Sequence, residues 1–551
     1  MSYARAFSQI DTWITEYSLT ANFGLTPVLE VWNKINDRRD DRKEWARMLL
    51  RFGLTSLSAG IVSTGKYPDP RTDTTVSAYI YMFNTPSTDT IPENFDIWSF
   101  PLTSNWIQGR GLDNDNFSNT GFANALSATN LIAWKTDSNA GQTGANNYLG
   151  YANAVYDSNS GSASFVNGQE NLKIEVTDYF KAFLNYATGT SIADGGSADH
   201  GFLLRMSNAQ ECKDATEATA ARVATSVSAD NFYSKKFYSR ETNTQKAPYL
   251  QLEWPGAIKD DRENIKFSKS GSLYYYSVVD GALTDLNGTG PFPGHVTLSA
   301  NGNTTVAGST GVYLGIAVTA DRVSKGIYKV NVGDAGTETA AAGLTGINLG
   351  VSSATSFTDS WTVTTAGEYR TDSFSFSCIL PTSGHSNYTT ANYQVTLSNL
   401  VPKFQPGTNQ RIRVNIKDRT TSLKSITGSS TAANNFVVKS GKIQIREKYT
   451  DDIEVNNFDI SYDSEGNFFD LDTNLLYPGI PYKVYIQLDV RGDTFYYDFP
   501  DKWDFVVGES YNTEDTPYAN PQSSRGALAQ SVDPYIEQYR AQSQAFRSRG
   551  F

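Results

Sequence analysis

The stretch KKFYSRETNTQKAPYLQLEW, Lys235 to Trp254, closes one folded unit and forces the chain beyond it into another. Pro248 suits the first residue of a strand, where its missing N–H breaks no ladder bond. Tyr249, Leu250, Leu252 and Trp254 suit a pleated, half-buried surface. Pro255-Gly256 then ends that strand. A chain of 551 residues exceeds what one hydrophobic core holds, so several domains are expected around this break.

Residue usage decides the fold class. Aromatics make up 13%, with Tyr and Phe dominant, Gly numbers 43 and Met only 4, a balance that favours many short strands joined by turns over packed helices. The expected class is all-β. A formal net charge of −12 leaves the chain without an electrostatic footprint for nucleic acid. Cys212 and Cys378 lie far apart and read as two isolated reduced thiols rather than a disulfide framework. The opening MSYARAFSQIDTWITEY has no apolar leader region, and no run reaches the roughly 18 apolar residues of a membrane helix, so synthesis in the cytosol without membrane insertion is expected.

In chain order, IDTWITEY (Ile10 to Tyr17) alternates as an opening strand, and Asn22-Phe23-Gly24 turns into PVLEVW. NDRRDDRKEW reads as a solvated loop between strands. Arg47 to Phe52, Val76 to Phe83 and Gly201 to Met206 read as strands, and LKIEVTDYF (Leu172 to Phe180) as a strand running into a short helix around Lys181 to Tyr186. Arg240 and Glu241 read as a pair that locks the last strand.

These stretches, taken in order, resemble the DNRLRE-type β-sandwich, a module of bacterial surface proteins, carbohydrate-binding proteins and phage virion proteins. The residues that carry the resemblance are Asp11 to Ile14, Asn22 to Gly24, Arg47 to Phe52, Trp106 with Gly109 and Gly111, Ala133-Trp134, Val176 to Tyr179, Gly201 to Arg205, and Phe237 to Glu241 with Pro248 to Leu250. One position departs from the pattern: Gln108 stands where the family carries an acidic residue. That weakens any role resting on a carboxylate there.

From Gly256 the texture changes to short strands between Gly/Ala/Thr/Ser turns, as in SLYYYSVVDG, GIYKVNVG and SFSFSCIL, the spacing of an Ig-like β-sandwich. A second such unit begins beyond Asn387 and ends at WDFVVG. Within it, Ile460 to Val490 is similar to a segment of large structural proteins of tailed phages, especially marine and cyanobacterial ones. The implied plan is a DNRLRE-like β-sandwich over 1–255, Ig-like β-sandwiches over 256–386 and 387–508, and a C-terminal extended arm over 509–551. In the arm, Asp533-Pro534 starts a short helix, with Tyr535, Ile536, Tyr539 and Phe546 near one face and Arg540 beside them. Such a helix is marginal alone, so it is expected to dock on its own domains or on a neighbouring subunit.

Little catalytic chemistry is legible. His200, His295 and His385 sit in Gly/Ser/Pro-rich contexts, and no nucleophile elbow or HExxH pattern occurs. Asp113 with Asp115 and Asp470 with Asp472 share a two-residue spacing, but an EF-hand fails because no closing Glu stands at the twelfth position counted from Asp113, where the chain runs into an Ala-rich stretch around Leu126; a structural calcium in the first domain stays open. No catalytic, cofactor or metal residue is assigned, and an enzyme is not expected. The sharper rival is sugar binding through exposed aromatic faces, with Trp45, inside the charge run, and Trp106 as candidate glycan contacts against the alternative that these rings fill the core. The resemblances imply a virion structural protein in a neck, tail or baseplate position, partnered by other virion proteins and copies of itself. The alternative is a polysaccharide-binding adhesin.

Overall fold

The computed structural model describes residues 3–508 except 37–41, 87–91, 103–104, 113–121, 130–131, 135–160, 189–198, 208–209, 211–231, 243, 263, 266–270, 289, 301–316, 334–343, 346–355, 365–369, 378–392, 419–436, 491–492 and 500–501. The chain is all-β, of the β-sandwich class, and its described residues divide into two compact units. One is built from Tyr3–Thr64 and Asp69–Trp254; the other is dominated by the chain from Pro255 onward. No helix among the described residues is long and apolar enough to cross a membrane.

The first unit holds β1 (Tyr3–Thr15), β2 (Val28–Asn36), β3 (Arg42–Phe52), β4 (Ser77–Met82), β5 (Phe95–Pro101), the short pair β6 (Ser127–Thr129) and β7 (Ile132–Ala133), β8 (Gly161–Phe165), β9 (Leu172–Glu175), β10 (Phe202–Met206), β11 (Tyr233–Tyr238) and β12 (Tyr249–Glu253). β1 serves both layers. Tyr3 to Phe7 pair with β12, the register shifts between Ser8 and Ile10, and the rest of β1 pairs with β3. One layer continues from β12 through β4 to β9, the other from β3 through β10 and β5 to β8, with β2 beside β3 and β11 beside β2. Strict alternation in β4 turns Ala78, Ile80 and Met82 inward. The helix Thr177–Ala187 buries Tyr179, Phe180, Phe183 and Leu184 along one stripe.

The charge run behaves differently from its loop reading. β3 begins at Arg42, inside that run, and pairs with β1, β2 and β10, so it is covered on both flanks and both faces. Glu44 and Arg47 are consequently buried, with the Arg47 guanidinium 4.2 Å from the Trp45 ring.

The second unit contains two sandwiches. The first comprises β13 (Gly271–Tyr276), the hairpin β14 (Val278–Val279) and β15 (Ala282–Leu283), β16 (Gly294–Ala300), β17 (Asp321–Ser324), β18 (Ile327–Gly333), β19 (Leu344–Thr345), β20 (Ser356–Val363) and β21 (Arg370–Ser377). Sheet β13-β18-β17 faces sheet β16-β20-β21 across a shared core in which Tyr275 stacks on Trp361 at 5.2 Å. The second comprises β22 (Tyr393–Ser398), β23 (Lys403–Phe404), β24 (Asn409–Asp418), β25 (Ser440–Glu447), β26 (Ile453–Asp459), β27 (Ser461–Asp463), β28 (Gly466–Asp472), β29 (Pro481–Val490), β30 (Asp493–Tyr497) and β31 (Asp504–Val507). Its sheets are β22-β24-β28-β27 and β23-β31-β29-β25-β26, with β30 beside β29. Ring contacts between Tyr393 and Phe495 at 5.3 Å and between Phe458 and Phe469 at 5.9 Å join the two layers.

Candidate functional site

The residues singled out in the first unit meet at one node. Asn22 is fully buried and uses all four of its hydrogen-bonding positions. Its Nδ2 donates to the carbonyls of Gln108 and Ala123, both at 2.7 Å, and its Oδ1 accepts from the backbone N–H of Gly24 at 3.2 Å and of Gly111 at 2.8 Å. The glycines are required by closeness. A Cβ on Gly111 would lie 1.6 Å from the Asn22 carbonyl oxygen, and Gly109 adopts φ +87°. The side-chain amide of Gln108 donates to the Gly24 carbonyl and, at 3.2 Å, to Glu241 Oε1. A carboxylate at 108 would carry no hydrogen for either bond and would repel Glu241, so the amide is the group this node needs. Arg240 donates to the Gln9 carbonyl and approaches Glu241 at 3.7 Å, which ties the segment before β12 to β1.

Asp11 completes the node from the β1 side. It is buried, accepts from Ser8 Oγ at 3.1 Å and from the Arg240 backbone N–H at 2.8 Å, and burial pushes its carboxyl up to about 6. Because the folded value lies above the ordinary 3.8, the folded state holds this proton more tightly than the unfolded chain. Its contribution to stability is therefore full below about pH 4 and falls as pH rises through about 6. Asp11→Asn is expected to flatten the pH dependence of first-unit stability between these values, by on the order of 2 kcal/mol, in urea unfolding followed at several pH values. An unchanged slope would mean that Asp11 is not the group that titrates.

The second unit carries a corresponding fixing point between its two sandwiches. After Pro255-Gly256, Lys259 lies beside Tyr462 of β27, with Asp260 N–H donating to the Tyr462 carbonyl at 3.0 Å and Tyr462 N–H to the Ile258 carbonyl at 2.9 Å. The same run then turns into the other sandwich, where Asp261 N–H donates to the Ser272 carbonyl at 2.8 Å. Arg262 donates to Asp260 at 2.6 Å, to the Tyr274 carbonyl at 2.6 Å and through two nitrogens to Asp359, which is fully buried and also accepts from Trp361 Nε1 at 2.7 Å. Burial pushes Asp260 up to about 6 even with this guanidinium beside it. Asp261 takes bonds from Lys439 and, at 3.0 Å, from Tyr462 Oη. Ile258, Tyr274, Ile327 and Phe468 form a small apolar cluster at the same place.

The candidate sugar contacts are corrected by burial. Trp45 is 0% exposed and Trp106 1% exposed, and Trp106 Nε1 donates to the His200 carbonyl at 2.9 Å. Both rings pack with Ile14, Leu49, Trp134 and Leu203, so neither presents a face to a pyranose. Asp470 is paired with Arg411 at 2.8 Å, and Asp472 caps a short 3-10 turn by accepting from Asn474 N–H at 3.0 Å. Asp113, Asp115, Cys212, Cys378, His385 and the arm residues Tyr535, Ile536, Tyr539, Arg540 and Phe546 lie outside the described residues. Among the described residues no group of three or more His, Cys, Asp or Glu side chains is placed to hold a metal ion. Sequence reasoning missed Asn22 as a hub, since its partners lie 86 and 101 residues away, and missed the run Asp260 to Arg262 altogether.

No family model and no curated protein matches this chain. Among solved structures it is similar to a chimeric titin Z1Z2 tandem, at 8% identity over 44% of this chain and 92% of that one, with a TM-score of 0.12. A DUF4785 family protein from Legionella pneumophila is similar at 9% identity over 91% of this chain and 89% of that one, with a TM-score of 0.14. A Salmonella alpha-2-macroglobulin variant is similar at 8% identity over 93% of this chain and 28% of that one, with a TM-score of 0.16. At these scores none of them carries an argument about function.

Proposed function

We propose that this protein is an architectural component of a tailed-phage virion, assembled in several copies through protein–protein contacts at the neck, tail or baseplate. The observation that carries the reading is how the conspicuous polar residues are used. Asn22, Gln108, Arg240 and Glu241 fasten loops and strands of one unit, and Asp260, Asp261 and Arg262 fasten two sandwiches into another. Side chains spent on internal fastening suit a part whose task is to present a fixed shape to its neighbours in an assembly. The DNRLRE-type and phage-protein resemblances of the sequence support the same reading, and the rival polysaccharide-binding reading loses Trp45 and Trp106 to the core.

Removal of residues 510–551 tests the assembly role. The truncated chain is expected to keep the circular dichroism and the unfolding midpoints of the full chain while failing to enter particles in a complementation assay. Normal particles built from the truncated chain would sink the role of the arm.

A further inference from the structure

In the first unit a circuit of strands closes on itself. β11 pairs with β2, β2 with β3, β3 with β1, β1 with β12 and β12 with β4. Just past β4 the chain meets β11 again: Asn84 bridges Phe237, the Tyr238 N–H donates to the Phe83 carbonyl at 3.1 Å, and the Thr85 N–H donates to the Lys236 carbonyl at 3.1 Å. Lys235 of β11 stands at this seam.

Among the described residues Lys235 is the lysine that lies in the core, 3% exposed. A lysine is almost never buried to this degree unless it is paired with a charge. Here Nζ donates to two uncharged oxygens, Asn84 Oδ1 at 2.7 Å and the Gly168 carbonyl at 2.5 Å. The buried rings of Phe165 and Phe237 lie 5.0 and 5.4 Å from it. Burial lowers this amine to about 8, with the Glu170 carboxylate acting in the opposite direction, so a share of it is the free nucleophile near neutral pH.

The electrophile is already in place. A C=O bond is about 1.2 Å long, so the acyl carbon Asn84 Cγ lies within about 4 Å of the amine. Holding a nucleophile against an acyl carbon in dry surroundings lowers the barrier to their reaction, because the cost of bringing them together is met by folding. Glu170 supplies a base at the same place. Its Oε1 accepts from the backbone N–H groups of Val166 and Asn167 at 3.0 and 2.7 Å, while its Oε2 is enclosed and has no hydrogen-bond partner.

We propose that Lys235 and Asn84 join in an isopeptide bond, with Glu170 as the base. The Lys235 ammonium gives one proton to the Glu170 carboxylate, and the free amine attacks Asn84 Cγ. The Nζ–Cγ bond forms and the Cγ–Nδ2 bond breaks. The second amine proton and the one held by Glu170 leave with Nδ2 as ammonium, and Glu170 returns to a carboxylate. Nothing is oxidised or reduced and no co-reactant is needed. The product locks β11 to the end of β4, across the seam where the two layers meet.

Mass spectrometry of the denatured full chain tests this. The wild-type chain is expected to be one ammonia lighter than its sequence, and proteolysis to give one branched peptide containing both residues. Lys235→Arg and Asn84→Ala should show neither. Asn84→Asp should lose one water instead, which a hydrogen bond alone cannot produce. Glu170→Gln keeps the oxygen that accepts from Val166 and Asn167, so it should fold and cross-link on the order of a hundredfold more slowly, the usual worth of a positioned base. Cross-linking at the wild-type rate in Glu170→Gln would overturn the role given to Glu170. Ammonia loss that persists in Lys235→Arg would belong to another asparagine and would overturn the bond. A wild-type chain whose peptides carrying Asn84 and Lys235 stay separate would overturn it as well, whether or not the variants fold.

Discussion

Arg262→Met is expected to destabilise the second unit by about 3–5 kcal/mol, the usual cost of removing one partner from a buried ion cluster. The guanidinium sits between Asp260 and Asp359, and Asp359 is fully buried. Without it, two carboxyl groups stay in a medium that cannot hydrate them, and Asp260, already pushed up to about 6, must bind a proton or draw in water. The Tyr274 carbonyl loses its donor in the same step. Trp361 reports the change, since its Nε1 donates to Asp359 in the core of the same sandwich. Urea unfolding followed by tryptophan fluorescence should show the transition of this unit at lower denaturant. A loss below about 1 kcal/mol would place the cluster among solvated pairs of little worth. The triple change that also replaces Asp260 and Asp359 by apolar residues of similar volume is expected to recover most of the loss, because no uncompensated charge then remains.

Asn22→Ala is expected to cost the first unit about 4 kcal/mol, since four backbone groups lose a partner at once and each buried orphan costs about 1–3 kcal/mol before relaxation. Asn22→Asp separates the contributions. A carboxylate keeps the acceptor for Gly24 and Gly111 but cannot donate to Gln108 and Ala123, so it too should destabilise strongly, and less so at low pH, where the protonated acid regains one donor. Thermal unfolding of the full chain resolves this as a shift confined to the transition of the first unit. A wild-type midpoint for Asn22→Ala would mean that water or relaxed backbone replaces the side chain.

Strands announced themselves wherever one side of the sheet met solvent. β4 alternates cleanly, and Val76 to Phe83 was legible on that account. β3 was only half legible, because a strand covered on both faces does not alternate, and its buried Glu44 and Arg47 look like solvent residues in a sequence. Trp45 suffered the same error. It sits in a charged stretch, and only the pairing of β3 with three neighbours shows why the ring is inside. The pairing of Arg240 with Glu241 could be read because the two are adjacent. The partners of Asn22 and Arg262 could not, since Gln108, Ala123 and Asp359 are brought in by chain reversals that no local pattern encodes.

The pairing of Tyr3 with Glu253 has a mechanical consequence. The first unit begins and ends at adjacent positions of neighbouring antiparallel strands, so tension between its entry and its exit does not stretch the body of the domain. That tension pulls sideways on the ladder from Tyr3↔Glu253 towards Phe7↔Tyr249 and opens its pairs one at a time, as a zip opens. A domain mounted this way is a poor tension member and a good pendant. It can ride on a loaded chain without carrying the load, and a hard pull peels its rim before its core is touched.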